Sequence, residues 1–141
     1  MQAIRSGTDS GMCVDDVNAG TADGNPILLV GCNESDAQQL SLGSDGTVRV
    51  KGGCIAPVDA RTAAGTPLEY RTCYGTSEQR WIPLANNALY HPASGRCFSL
   101  PPGGQAAGGT RLQLSDCKDE AYQQWSMPML RTAALPAPPR S

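Results

Sequence analysis

The sequence predicts an all-β fold in which one unit of about 40 residues is written three times and closed around a shared core. Three observations predict it. Gln123-Gln124-Trp125 recurs as Gln79-Arg80-Trp81 and, with leucine in place of tryptophan, as Gln38-Gln39-Leu40. Each copy begins six residues after a cysteine (Cys32, Cys73, Cys117), which itself follows another (Cys13, Cys54, Cys97) by nineteen or twenty positions. Between these landmarks lie four short apolar stretches per unit, separated by Gly, Pro, Asn and Asp. They give about twelve strands and leave no candidate for a long helix.

The head, Met1 to Ser10, carries one short apolar stretch around Ile4 and reads as a closing strand. The first unit opens at Gly11-Met12-Cys13-Val14, breaks at the turn cluster Asn18 to Pro26, and resumes as the strand Ile27-Leu28-Leu29-Val30 before Cys32. Asp45-Gly46 then reads as a hairpin turn into Thr47-Val48-Arg49-Val50. The second unit repeats the offsets: Gly53-Cys54-Ile55, a turn ending in Gly65-Thr66-Pro67, the strand Leu68-Glu69-Tyr70-Arg71, and Asn86-Asn87 turning into Ala88-Leu89-Tyr90. The third opens at Gly95-Arg96-Cys97-Phe98, takes Gly108 as its turn glycine, and admits one residue before Leu112-Gln113-Leu114, a cheap insertion at a turn.

Strand alternation turns Ile27, Leu29, Leu68, Tyr70, Leu112 and Leu114 inward, and Leu28, Val30, Glu69, Arg71, Gln113 and Ser115 outward. No unit can bury its own apolar face. Three can share a core if the strand after Trp125, Ser126 to Leu130, pairs with the head strand and removes the open edges. The expected domain is 1–130, with repeats at about 11–51, 52–94 and 95–130 and residues 1–10 closing the barrel; 131–141, rich in Pro and Ala, reads as a tail or linker.

A formal net charge of -2 and scattered basic residues provide no field for nucleic acid, and no apolar run is long enough for membrane insertion. The six cysteines include no Cys-x-x-Cys, and one histidine, His91, completes no zinc site of the usual spacing; no metal or other cofactor is called for. Disulfides in an oxidising compartment are the better reading. The repeat selects Cys13 with Cys32, Cys54 with Cys73 and Cys97 with Cys117, and closing each loop contributes about 3 kcal/mol in the chain-entropy model.

The threefold Gly-x-Cys, Gly-x-Pro-apolar, Cys and Gln-x-Trp pattern resembles the ricin B-type lectin domains over roughly residues 3 to 130. The resemblance implies a β-trefoil, a six-stranded barrel capped by three hairpins, with Trp81, Trp125 and Leu40 at its core positions. It also implies non-catalytic carbohydrate binding, to a galactose-type sugar or a polysaccharide, by an accessory module of a secreted protein that has a neighbouring domain. Such sites carry an acid two residues after the first cysteine, an aromatic two before the second, and an Asn-Gln pair opening the Gln-x-Trp. These positions hold Asp15, Val30, Ala37 and Gln38 in the first unit, Ala56, Arg71, Glu78 and Gln79 in the second, and Ser99, Ser115, Tyr122 and Gln123 in the third.

No unit matches the full set. The sugar-site candidates are Asp15 and Gln38 in the first unit and Gln113, Tyr122 and Gln123 in the third, with Asp59 able to reach into the second from its loop. The competing structural roles are plain: Asp15 capping a turn beside Asp16 and Asn18, and Tyr122 packed on a disulfide. His91 reads as a surface residue at a strand end, and Asp119-Glu120 as solvated acids, so no catalytic constellation assembles. Two functional readings follow: a lectin module, or a trefoil with decayed sugar sites that serves as a scaffold for a protein partner. A hydrolase is the weakest alternative.

Overall fold

The computed structural model describes residues 2–104, 107–127 and 136–137. Thirteen strands and five single 3-10 turns account for the regular structure, with no α-helix among the described residues. The strands are β1 (Arg5–Ser6), β2 (Met12–Asp16), β3 (Ile27–Gly31), β4 (Leu40–Leu42), β5 (Val48–Val50), β6 (Gly53–Pro57), β7 (Leu68–Arg71), β8 (Ile82–Pro83), β9 (Leu89–His91), β10 (Arg96–Ser99), β11 (Thr110–Arg111), β12 (Gln113–Asp116) and β13 (Trp125–Ser126). They form three antiparallel sheets in the orders β11-β3-β2-β1-β13, β4-β5-β6-β7 and β12-β10-β9-β8.

Closure runs as the sequence requires. Arg5 pairs with Ser126 and Ser6 with Trp125, joining the head strand to the last strand; the expected continuation over 128–130 lies outside the described residues. Residues 131–135 and 138–141 of the expected tail also lie outside them, while the Pro136 carbonyl accepts from the Ala85 amide at 2.8 Å.

A ring of backbone bonds ties each repeat to the next. The amides of Gly24, Gly65 and Gly109 donate to the carbonyls of Tyr70, Leu114 and Leu29 at 2.9, 2.7 and 2.7 Å. All three glycines have φ near +90° (96°, 89° and 86°), a conformation that penalises any residue with a Cβ. The third member of the set is therefore Gly109, not Gly108, and the inserted residue lies before the turn glycine rather than after it.

The core is continuous across the three repeats and contains Ile27, Leu29, Leu68, Leu112 and Leu114 as alternation requires. Tyr70 joins it, and its hydroxyl donates to the Lys51 carbonyl at 2.9 Å. Trp81 and Trp125 are each 1% exposed, and their indole N–H groups donate to the Ile55 and Phe98 carbonyls at 3.0 Å. Phe98 stands between them edge-on, with ring centroids 5.3 and 5.2 Å away, a favoured aromatic geometry.

The first repeat departs at the same place. Leu40 is buried, but its backbone exchanges two hydrogen bonds with Gln2 of the head, whereas the Trp81 and Trp125 amides donate to the hairpin turns at Gly46 and Asn87. Two of the positions expected to face outward are buried as well: Glu69, which pairs with Arg71 at 2.8 Å, and Ser115. All three expected disulfides are present.

His91 is fully buried, not at the surface. It occupies the core position held by Val50 in the first repeat, each being the last residue of its strand, and lies 4.7 Å from Trp81. Its Nε2 must donate to the Glu78 carbonyl at 2.8 Å, which leaves Nδ1 to accept from the Ser94 hydroxyl at 2.7 Å. Burial holds its pKa below the ordinary histidine value, so the ring is a neutral structural brace.

Candidate functional site

The first glutamine of each Gln-x-Trp spans the turn at the second cysteine. Gln38 accepts from the Asn33 amide at 2.9 Å and donates to the Gly31 carbonyl at 2.9 Å. Gln79 makes the same pair with Tyr74 and Thr72, both at 2.8 Å, and Gln123 with Lys118 and Asp116 at 2.7 and 2.8 Å. The residues on either side of a disulfide-bonded cysteine are thus tied to a buried amide. Each glutamine is the last residue of a single 3-10 turn.

Gln38 has a further partner. Its Nε2 donates to Asp15 Oδ2 at 2.9 Å, a bond with no counterpart in the other repeats because Ala56 and Ser99 stand at the position of Asp15. Asp15 lies on β2, 7% exposed, in a cleft of about 590 Å³ walled by Val17, Leu28 and Val30 and rimmed by Asn18 and Asn33. Asp15 forms no ion pair among the described residues, so its carboxylate keeps acceptor capacity beyond the Gln38 bond. Asn33 Oδ1 caps its own turn by accepting from the Ser35 amide at 3.0 Å.

The second repeat builds a smaller cleft, about 190 Å³, at the equivalent place, with Ala56 as its floor and Asp59, Arg71, Tyr74 and Glu78 around it. Asp59 does reach into it from the loop. Asn18 and Asp59 occupy corresponding positions, with φ of 55° and 53°, a left-handed conformation that Asn and Asp tolerate. Tyr74 is 61% exposed and stands one residue after Cys73, not at the expected aromatic position two residues before it, which Arg71 holds.

In the third repeat the candidate side chains engage the protein itself. Gln123 is buried with both ends of its amide bonded, Gln113 donates to Ser115 Oγ at 2.9 Å, and Tyr122 packs partly buried against the main core. The structure therefore places Asp15 in the lining of the first cleft with Gln38 bonded behind it, and makes Gln38 and Gln123 alike buried braces. Asn18, Asn33 and Tyr74 are cleft residues that sequence offsets missed; the signals for them were an Asx residue in the loop and the position following the second cysteine.

A family model described as the ricin-type beta-trefoil lectin domain matches residues 2–125. The chain belongs to this family. The elderberry (Sambucus nigra) ribosome-inactivating protein SNAI is 32% identical over 123 residues, 86% of this chain and 20% of that protein. Serine protease 1 of Rarobacter faecitabidus is 32% identical over 117 residues, 80% of this chain and 21% of that one. The chain thus spans about a fifth of the length of the curated relatives it matches. Among solved structures, the agglutinin of Abrus precatorius superposes with a TM-score of 0.78 at 26% identity, over 88% of this chain and 46% of that one. The designed threefold-symmetric protein ThreeFoil superposes at 0.75 and 20% identity, over 87% and 94%, which bears on the β-trefoil fold alone. As a ricin-type lectin domain, the chain is a member of a carbohydrate-binding family.

Proposed function

We propose that this domain is a non-catalytic carbohydrate-binding module of a secreted protein and that its working sugar site is the first cleft. The observation that carries the reading is the Gln38–Asp15 bond at the floor of that cleft. It holds the carboxylate in one orientation, so that two adjacent sugar hydroxyls can donate to it without first ordering the side chain. Val17, Leu28 and Val30 supply an aliphatic wall for the C–H face in place of an aromatic ring, and the Asn18 and Asn33 side chains stand where further hydroxyls would lie. A wall without a ring and an open mouth make single-site affinity weak, so avidity through a partner domain would set useful binding.

A galactose-type sugar is the ligand of choice. A bitter gourd homologue of type II ribosome-inactivating proteins was solved with α-methyl-D-galactoside, and the earthworm R-type lectin C-half with GalNAc. Three disulfides support an oxidising, extracellular setting, and 131–141 is assigned as the linker that follows a 1–130 module. The absence of a ring at Val30 and of an amide at Ala37 favours the competing reading, a decayed trefoil acting as a scaffold. Titration of the domain with methyl galactoside, followed by amide shifts, separates the two. Shifts at Asp15, Val30 and Asn33 that vanish in Asp15→Asn support the lectin reading, and no binding of any saccharide at millimolar concentration would sink it.

A further inference from the structure

Asn25, Thr66 and Thr110 stand at corresponding places, each one residue after a turn glycine of positive φ. Thr66 and Thr110 bond within their own turns, their hydroxyls donating to the Ala63 and Ala107 carbonyls at 2.7 Å. Asn25 reaches back to the end of β2 instead. Its Nδ2 donates both to Asp16 Oδ1 at 2.6 Å and to the Val17 carbonyl at 2.8 Å. Asp16, 1% exposed, stands three residues after its cysteine, where the other repeats have Pro57 and Leu100. Gly20 completes the arrangement. Its φ of -68° suits any residue, yet an added Cβ would stand 2.8 Å from Asn25 Nδ2, so the glycine makes room for the amide.

This clamp acts on the wall of the first cleft. Val17, Asn18 and Ala19 form the single 3-10 turn that lines it, and Asn18 and Ala19 have φ of 55° and 53°, a conformation that L residues resist. The second and third repeats carry proline at or beside this turn (Pro57; Pro101 and Pro102), which fixes φ covalently. No proline lies between Cys13 and Pro26, so in the first repeat side-chain bonds take that role.

We propose that Asp16, Asn25 and Gly20 are positioning residues for the first cleft: the Asn25 amide, oriented by the Asp16 carboxylate, pins the Val17 carbonyl and so keeps Asn18 in the cleft wall. The proposal rests on the reading of that cleft as the sugar site, and none of the three residues is among those that line it. A turn that is in place only part of the time lowers apparent affinity by that fraction, so binding reports on the clamp.

The test replaces the clamp by the pair that the third repeat carries at these positions, Asp16→Leu with Asn25→Thr. Methyl galactoside affinity should fall about fivefold to tenfold. Exchange of the Gly20 amide, which donates to the Val17 carbonyl at 3.0 Å, should quicken about tenfold, while the Arg61 amide, bonded to Val58 at 3.0 Å in the second repeat, is unchanged. The melting temperature with disulfides intact should stay at or above the parent's, because the buried carboxylate leaves with the clamp; a general structural role would lower affinity and melting together. Gly20→Ala, which takes the room of the amide, should weaken binding to the same extent, whereas Asp16→Asn, which keeps an acceptor for Asn25, should retain the parent's affinity. Unchanged affinity or unchanged Gly20 exchange in the double variant and in Gly20→Ala overturns the proposal, as does a double-variant melting temperature that falls with the affinity, or an Asp16→Asn that binds as weakly as the double variant. A parent that binds no saccharide overturns it together with the sugar-site reading; slow Gly20 exchange in that parent, measured without ligand, then shows that the cleft failed and not the clamp.

Discussion

Asp16 buries a carboxylate with only one of its oxygens bonded among the described residues. It is 1% exposed, its Oδ1 accepts from Asn25 Nδ2 at 2.6 Å, and its Oδ2 has no partner among the described residues. Burial, opposed in part by the Asn25 bond, raises its pKa from 3.8 to about 6. At about 1.4 kcal/mol per tenfold, that rise represents about 3 kcal/mol lost from folding stability when the carboxylate is charged. Asp16→Asn keeps the acceptor for Asn25 and removes the charge, but places an unbonded amide N–H where Oδ2 was, at a cost of about 1–2 kcal/mol. The variant should therefore be about 1–2 kcal/mol more stable than the parent at pH 7.5. The sign reverses on acidification. A raised folded pKa means that the native state takes up its proton first, so the parent regains stability as pH falls from about 7 to about 4, and the advantage of the variant disappears across that window. Urea unfolding of both proteins with disulfides intact, at pH 7.5, 5.5 and 4, measures this difference free of every group they share. A variant less stable than the parent at pH 7.5, or a difference that does not move with pH, would refute the assignment of Asp16 as a buried, charge-penalised carboxyl.

Other outcomes follow from the same geometry. His91 should have the opposite pH dependence: its folded pKa is depressed, so its contribution is intact above about pH 6.5 and is lost as the unfolded chain protonates below it, a slope that His91→Val should abolish in the same unfolding series. Gly53→Ala should cost about 2–4 kcal/mol, because an added Cβ would overlap the Tyr70 ring; thermal melting checks this, and a loss under 0.5 kcal/mol would show that the ring can move aside. Asp15→Asn, by contrast, should remove galactoside shifts while changing stability little, since the amide oxygen can still accept from Gln38.

The fold was legible because it is repetitive. Spacing between cysteines and Gln-x-Trp triplets reports directly on a unit used three times, and a twofold alternation suffices to select Ile27, Leu29, Leu68 and Leu112 as inward residues. The amides of the first glutamines are local too, reaching only five to seven residues along the chain, which is why one triplet yields the same turn in each repeat.

Neighbours brought together by tertiary packing obey no such spacing. That Glu69 is buried depends on the chain around Gly24 and Pro26 of the preceding repeat, and that Gly109 rather than Gly108 takes the positive φ depends on its bond to Leu29 of the first. His91 gives no sign of burial in the chain because its partner, the Glu78 carbonyl, is presented by a turn thirteen residues away. The clefts were half visible for the same reason. Sequence alone located Asp15 and Gln38 at family offsets, but only packing showed that the glutamine holds the acid in place, and that Tyr74 opens onto a cleft whose floor has lost its acceptor. Periodicity determined which residues the backbone repeats; contacts between segments distant in the chain, within a repeat and across to its neighbours, decided through shared hydrogen-bond partners and desolvation which of those residues remain free to bind.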